Sequence, residues 1–120
     1  MYRIKIEAHF SAAHNLRNYR GKCEELHGHN WKVEAAVLCS KLDKSGMVMD
    51  FKCLKSELNK ILENLDHKYL NNISYFKKAN PTSENIARYI YERLKARQVK
   101  ILKSITVWES DNACATYYEK

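Results

Sequence analysis

Two stretches of strict alternation, joined through a short histidine-bearing segment, constrain this chain most. Tyr2, Ile4, Ile6, Ala8 and Phe10 alternate with Arg3, Lys5, Glu7 and His9, and Trp31, Val33, Ala35 and Val37 alternate with Lys32, Glu34 and Ala36. A period of two belongs to a strand with one buried face. It predicts a strand over residues 2–10 and a second from about residue 29 to residue 40, the two pairing as a long hairpin. Between them stand His14, in Phe10-Ser11-Ala12-Ala13-His14, and Cys23-Glu24-Glu25-Leu26-His27-Gly28-His29. In an extended segment His27 and His29 point the same way, and Gly28 between them lets the backbone bend close to an ion.

Three imidazoles and one thiol within sixteen residues form a catalytic-metal pattern. His14, His27 and His29 supply three ligands with no obvious fourth, which leaves one position of a tetrahedral Zn2+ site open for water or substrate. Cys23 then stands just outside, as a reagent. The competing arrangement is a closed structural zinc held by Cys23, His14, His27 and His29, but such sites use tighter Cys-x2-Cys spacings, which this chain lacks. His9 reads as a structural residue of its strand.

The rest of the chain fills out one domain, residues 1–120. Lys44-Ser45-Gly46 marks a turn, and Asp50 is placed to cap a helix whose apolar positions Phe51, Leu54, Leu58, Ile61, Leu62 and Leu65 follow helical spacing to an end near Asp66-His67. Asn80-Pro81-Thr82-Ser83-Glu84-Asn85 supplies a pre-proline break, a hydroxyl cap and an early glutamate for a second helix through Ile86, Ala87, Ile90, Tyr91 and Leu94. Residues 101–110 and 112–118 read as strands around a Ser110-Asp111-Asn112 turn. The order strand, strand, helix, helix, strand, strand fits an α+β domain with two helices on one face of a four-stranded antiparallel sheet. Ala8, Ala36, Leu38 and several tyrosines leave the other face partly apolar, so a monomer looks incomplete and copies of the chain are expected to bury that face together.

Charge and cysteine usage narrow the setting. Lys and Arg number 21 against 14 acidic residues, a net charge of +7 that favours an anionic partner. The basic residues are scattered, so most belong to solvated faces and a nucleic-acid patch is weakly indicated. Cys23, Cys39, Cys53 and Cys114 show no paired spacing, and neither a signal segment nor a run of transmembrane length is seen, so a cytoplasmic, reduced protein is expected.

Six ordered segments carry a resemblance. They are the His14 and Cys23-x3-His27-Gly28-His29-Asn30-Trp31 motifs, Gly46-Met47-Val48-Met49-Asp50-Phe51, Leu65-Asp66-His67-Lys68-Tyr69-Leu70-Asn71, Asn80-Pro81-Thr82-Ser83-Glu84-Asn85 and Val107-Trp108-Glu109. Together they resemble the 6-pyruvoyltetrahydropterin synthase and 6-carboxytetrahydropterin synthase family over nearly the whole chain. The resemblance implies the tunnelling fold (T-fold), in which sheets close into a barrel in trimers, two trimers stack as a hexamer, and active sites lie between subunits. It implies 7,8-dihydroneopterin triphosphate as substrate, no nucleic-acid or membrane partner, and Zn2+ as cofactor on His14, His27 and His29. Cys23 matches the general base, and Asp66 with His67 resembles the acid-base relay, although without the resemblance an Asp-His pair merely ends a helix. Glu109 resembles the pterin anchor, one carboxylate accepting from a ring N–H and an amino group side by side. Thr82 and Ser83 match hydroxyls near the pterin, where capping explains them equally well. Asp50 and Phe51 are left to capping and core packing.

Within the family, the three residues between Cys23 and His27 resemble the 6-carboxy-5,6,7,8-tetrahydropterin synthase branch of queuosine and deazapurine biosynthesis, a lyase releasing acetaldehyde and triphosphate. Glu24 and Glu25 beside Cys23 keep open a folate-type relative that forms 6-hydroxymethyl-dihydropterin, alongside the pyruvoyl branch. Outside enzymes, the alternative is a basic, zinc-stabilised module that binds nucleic acid.

Overall fold

The computed structural model describes residues 1–22 and 24–120. Strands β1 (Tyr2–His14) and β2 (His27–Cys39) form the expected hairpin, followed by helix α1 (Phe51–Leu62), a two-residue strand β3 (Lys68–Tyr69), a 3-10 turn (Leu70–Asn72), helices α2 (Ser74–Lys78) and α3 (Ser83–Ala96), and strands β4 (Leu102–Ser110) and β5 (Ala113–Tyr118). The sheet order is β3-β1-β2-β4-β5, antiparallel except where β3 runs parallel to β1. The four long strands and the two long helices are those read from the sequence. The added pieces, β3 and α2, fall in the segment between the helices that showed no period of its own.

The alternation of β1 and β2 resolves the two faces. Ile6, Ala8, Phe10, Trp31, Val33, Ala35 and Val37 turn toward α1 and α3 and are buried, with Ile105 and Val107 of β4 beside them. Leu54, Leu58, Ile61 and Leu62 answer from α1, and Ile86, Ala87, Ile90 and Leu94 from α3. Both helix starts are capped as expected: Asp50 Oδ1 accepts from the Lys52 amide at 2.8 Å, and Thr82 Oγ1 from the Asn85 amide at 3.1 Å. Phe51 departs from expectation. At the first position of α1, it is 56% exposed rather than part of the core.

The helix-free face also differs. Ala8 lies in the core rather than on that face, because β1 buries its even-numbered residues. The bare face instead carries a polar lattice: Glu34 Oε2 is 3.5 Å from Lys5 Nζ, its Oε1 accepts from Trp108 Nε1 at 3.1 Å, and Lys32 Nζ lies 4.7 Å from the Trp108 ring centre. Ala36 and Leu38 do lie on that face, opposite Lys5 and Arg3, so it is mixed, and the open sheet adds a second reason for a partner. Most of β1 and all of β5 present unpaired backbone edges, and such edges are templates for another copy. The radius of gyration, 15.2 Å, exceeds the about 13.6 Å expected of a compact chain of this length, with extents of 54 × 27 × 27 Å. An unclosed, elongated sheet is what the expected T-fold requires of a single protomer. Among the described residues, no helix is long and apolar enough to cross a membrane.

Candidate metal centre and the groove beside it

Pairing of β1 with β2 sets His14 opposite His27, the last pair of the hairpin, and Ala12 opposite His29. His14, His27 and His29 all fall on the helix side of the sheet, the face of Trp31. Their ring centres lie 4.7 to 5.1 Å apart. Trp31 forms the floor, with His14 and His29 edge-on at 4.9 and 5.1 Å and its own Nε1 donating to the Ala12 carbonyl at 3.2 Å. Such aromatic pairs add about 0.5–1.5 kcal/mol each and hold ring orientation.

Hydrogen bonds fix what the rings offer. His14 Nδ1 donates to the Pro81 carbonyl at 2.7 Å, and His27 Nδ1 donates to the Glu25 carbonyl at 2.9 Å. A carbonyl oxygen only accepts, so each Nδ1 carries the proton and each Nε2 of the neutral ring is a lone pair. Those two Nε2 atoms face each other at 3.1 Å. Two lone pairs that close repel unless a cation lies among them. His29 Nε2 joins them as a buried nitrogen with no hydrogen-bond partner, an arrangement that costs free energy unless a ligand is bound. Burial lowers the pKa of His29, opposed by Glu109 and reinforced by His14 and His27, which favours the neutral, coordinating form. The donor set fits a metal ion.

Glu109 belongs beside this cluster. The ligand atoms of His14, His27, His29 and Glu109 all lie within 4.8 Å of one another, and Glu109 Oε1 is 3.4 Å from His29 Nε2 without forming a hydrogen bond to it. Trp108 pairs with Cys114 and Ser110 with Ala113, so Glu109 is the extra residue of a β-bulge. A bulge re-aims a side chain and is frequent next to functional sites. The proximity of Glu109 to the histidines was not read from the sequence; the pairing of β2 with β4 that creates it leaves no local signal.

Gly28 plays less part than expected. It lies in regular β2, opposite Ala13, with no left-handed φ, and an added Cβ would meet only the Ala12 carbonyl at an ordinary 3.7 Å. The close approach of His27 and His29 comes from strand alternation alone.

Asp66 and His67 stand outside the four-residue cluster, at the edge of β1. Asp66 Oδ1 accepts from the Ser11 amide at 2.9 Å, the His67 amide donates to the Ser11 carbonyl at 2.6 Å, and His67 Nδ1 lies 3.0 Å from Asp66 Oδ2. His67 adopts a left-handed φ of 58° to complete this turn. The Ser11 amide, chiefly, and then the His67 ring lower the pKa of Asp66, partly offset by desolvation. An open groove of about 550 Å³ runs between the two regions, with Ser11, Gly28, His29, Asn30, His67 and Lys68 on its walls. Thr82 and Ser83 sit half-buried at the start of α3, next to the Pro81 carbonyl that orients His14. Cys23 lies outside the described residues.

Comparison with known proteins gives a single family and several activities. The 6-pyruvoyl tetrahydropterin synthase family profile matches residues 3–120. A 6-carboxy-5,6,7,8-tetrahydropterin synthase of Synechocystis is 39% identical, the match covering 98% of this chain and 94% of that protein. A dihydroneopterin monophosphate aldolase of Pyrococcus furiosus is 40% identical, over 91% of this chain and 90% of that protein. The structure of the Caenorhabditis elegans 6-pyruvoyl tetrahydropterin synthase superposes with a TM-score of 0.87 at 28% identity, covering 99% of this chain and 96% of that one.

Proposed function

Since the chain belongs to the 6-pyruvoyl tetrahydropterin synthase family, we propose that it is a zinc-dependent 6-carboxy-5,6,7,8-tetrahydropterin synthase. It acts on 7,8-dihydroneopterin triphosphate in the cytoplasm, releases acetaldehyde and triphosphate, and serves queuosine biosynthesis. The observation that carries the metal chemistry is the convergence of the His14 and His27 Nε2 lone pairs at 3.1 Å beside the unpartnered His29 Nε2. His14, His27 and His29 would hold Zn2+, which would supply Lewis acidity toward the side-chain oxygens of the pterin and so make the adjacent C–H bond more acidic.

The chain's own groups do the rest. Cys23 removes the proton as general base. His67, oriented by Asp66, returns a proton across the groove. Glu109 accepts from the amino group and ring N–H of the pterin, with the Thr82 and Ser83 hydroxyls near the ring. The homo-oligomer, a hexamer built as a dimer of trimers, walls the groove that one chain leaves open.

The carboxy branch rests on the three-residue gap between Cys23 and His27, supported by the Synechocystis relative. The folate-type reading draws support from the Pyrococcus relative, whose name is that of an aldolase. Against a Glu24 base in this chain, Glu24 Oε1 accepts from the Leu16 amide at 3.2 Å and lies 3.8 Å from His27 Nδ1. That oxygen is engaged with the loop. Against the nucleic-acid module, Lys5 and Lys32 on the bare face share Glu34, which offsets one of their two charges.

Mass analysis of products from the purified protein and 7,8-dihydroneopterin triphosphate tests the proposal. A carboxylated tetrahydropterin with trapped acetaldehyde is expected. 6-Pyruvoyltetrahydropterin without acetaldehyde, or a 6-hydroxymethyl pterin, overturns the branch and leaves the metal reading standing. No turnover of any dihydroneopterin phosphate overturns the enzyme.

A further inference from the structure

We propose that Asn15 is a positioning residue for catalysis: its side chain, held by Tyr69 and with its backbone gripped by Asn71, sets the placement of the loop that carries Cys23. The inference rests on Cys23 being the base. Residues 15–26, Cys23 among them, connect the paired strand ends His14 and His27. The connection is braced from one side by the segment that follows α1.

Asn71 is one of two buried polar residues among those described, the other being His14. It uses its whole amide on the backbone of Asn15: Oδ1 accepts from the Asn15 amide at 3.0 Å, and Nδ2 donates to the Asn15 carbonyl at 2.8 Å. Asn80 repeats the device two residues on, its Oδ1 accepting from the Arg17 amide at 3.0 Å and its Nδ2 donating to the Arg17 carbonyl at 2.8 Å. Two asparagines thus pair with residues 15 and 17 as a neighbouring strand would. A buried amide is costly unless fully paired; that of Asn71, like the half-buried one of Asn80, is spent on holding a loop backbone in place.

The side chain of Asn15 passes that constraint to the residue after Cys23. Asn15 Oδ1 accepts from the Tyr69 hydroxyl at 2.5 Å, and Asn15 Nδ2 donates to the Glu24 carbonyl at 3.1 Å. The Glu24 amide donates to the Leu16 carbonyl at 2.8 Å, and its carboxylate accepts from the Leu16 amide at 3.2 Å. Glu24 is therefore tied at its N–H, its carbonyl and its side chain to residues 15 and 16. It stands one peptide bond from Cys23. A reacting group displaced by about 1 Å can lose on the order of a hundredfold in rate, so this fixation has catalytic weight.

Asn15→Asp tests the proposal selectively, because the carboxylate still accepts from Tyr69 while losing the donor to Glu24. The expected result is wild-type metal content, KM within about twofold, kcat lowered roughly tenfold to a hundredfold, and faster amide hydrogen exchange at Leu16 and Glu24 with Trp31 and Val33 unchanged. Tyr69→Phe removes one hydroxyl at the surface and is expected to lower kcat by a few-fold with the same split, which keeps the test open if Asn15→Asp folds poorly. An unchanged kcat in both variants, or a rise in KM at constant kcat, overturns the positioning role and makes the network a loop brace only. Cys23→Ala run alongside separates the readings: if it retains turnover, the base assignment itself has failed, whereas an inactive Cys23→Ala with fully active Asn15→Asp and Tyr69→Phe proteins removes Asn15 alone.

Discussion

Histidines are held in two different ways in this molecule. At the end of the β1–β2 hairpin, His14 is buried, packs edge-on to Trp31 and donates Nδ1 to Pro81, so its Nε2 direction is set before any ligand arrives. At the edge of β1, His67 has a side chain 82% exposed, a left-handed backbone and Asp66 as its ionic partner. The first arrangement is preorganised within one chain. The second is anchored only through Asp66 and Ser11, and its imidazole faces an open groove. A metal centre tolerates little displacement of its ligands, whereas a proton donor can gain its remaining wall from a neighbouring copy on the free edge of the sheet. On the proposed reading, the comparison locates what an oligomer would add: it would complete the groove, whereas the three histidines converge within one chain.

The largest effect should come from the preorganised end. His27→Ala and His29→Ala each remove one of three ligands, and both proteins are expected to lose bound zinc and all measurable turnover, read by metal analysis of the purified chains. Zinc at the wild-type level in both would break the comparison at its stronger side. Next in size, Cys23→Ala should keep zinc and fold but lose on the order of a hundredfold or more in kcat, because proton transfer goes and the metal cage stays. Activity that survives this change but vanishes in Glu24→Gln or Glu25→Gln would move the base to a carboxylate.

Glu109 sharpens the contrast, since it sits at the metal end yet is only half-buried. Its charge can serve the ion or the pterin. Glu109→Gln replaces one acceptor oxygen by an NH2, and loss of a charged hydrogen-bond partner is worth about 1.5–3 kcal/mol, or roughly tenfold to a hundredfold in the affinity for an unreactive pterin. Titration calorimetry with zinc-loaded protein measures it. If pterin affinity holds while zinc affinity drops, Glu109 is a fourth ligand and the site is closed, as a structural metal would be.

Much of this was written in local pattern. The even-numbered residues of β1 and the odd-numbered residues of β2 are apolar up to Phe10 and from Trp31, and continuing the same parity to His14, His27 and His29 puts all three imidazoles on one face. Thr82 and Asp50 announce their helices by capping chemistry that needs only neighbours in sequence. Other features depend on partners far along the chain. The bulge at Glu109 exists only against β5, and β3 exists only because Ser11 binds Asp66 and His67 and so lays residues 68 and 69 along β1. Phe51 fits the apolar spacing of α1, yet it is exposed while Leu54, one turn on, is buried, so spacing alone does not mark where the buried stripe begins. The paired amides of Asn71 and Asn80 are equally silent in sequence, where an asparagine in a loop reads as a turn former.

The smallest expected effect probes the weaker anchor by its titration. The Ser11 amide and the His67 ring hold the Asp66 carboxyl below its ordinary value. A group with a lowered folded pKa adds stability that is fully present above the unfolded value, about 3.9 for aspartate, and is lost as the pH falls through the folded value. Asp66→Asn keeps an acceptor for Ser11 but never carries the charge. Wild type should therefore melt slightly above Asp66→Asn at pH 7, and the gap should close only in acid below about pH 4. Differential scanning calorimetry across this range, on metal-free protein of both kinds, isolates Asp66 from the histidine ligands, whose protonation is common to the two. A gap that stays constant to pH 2.5 would mean that the charge of Asp66 does nothing for the fold, and that the edge of β1 is held by its backbone alone.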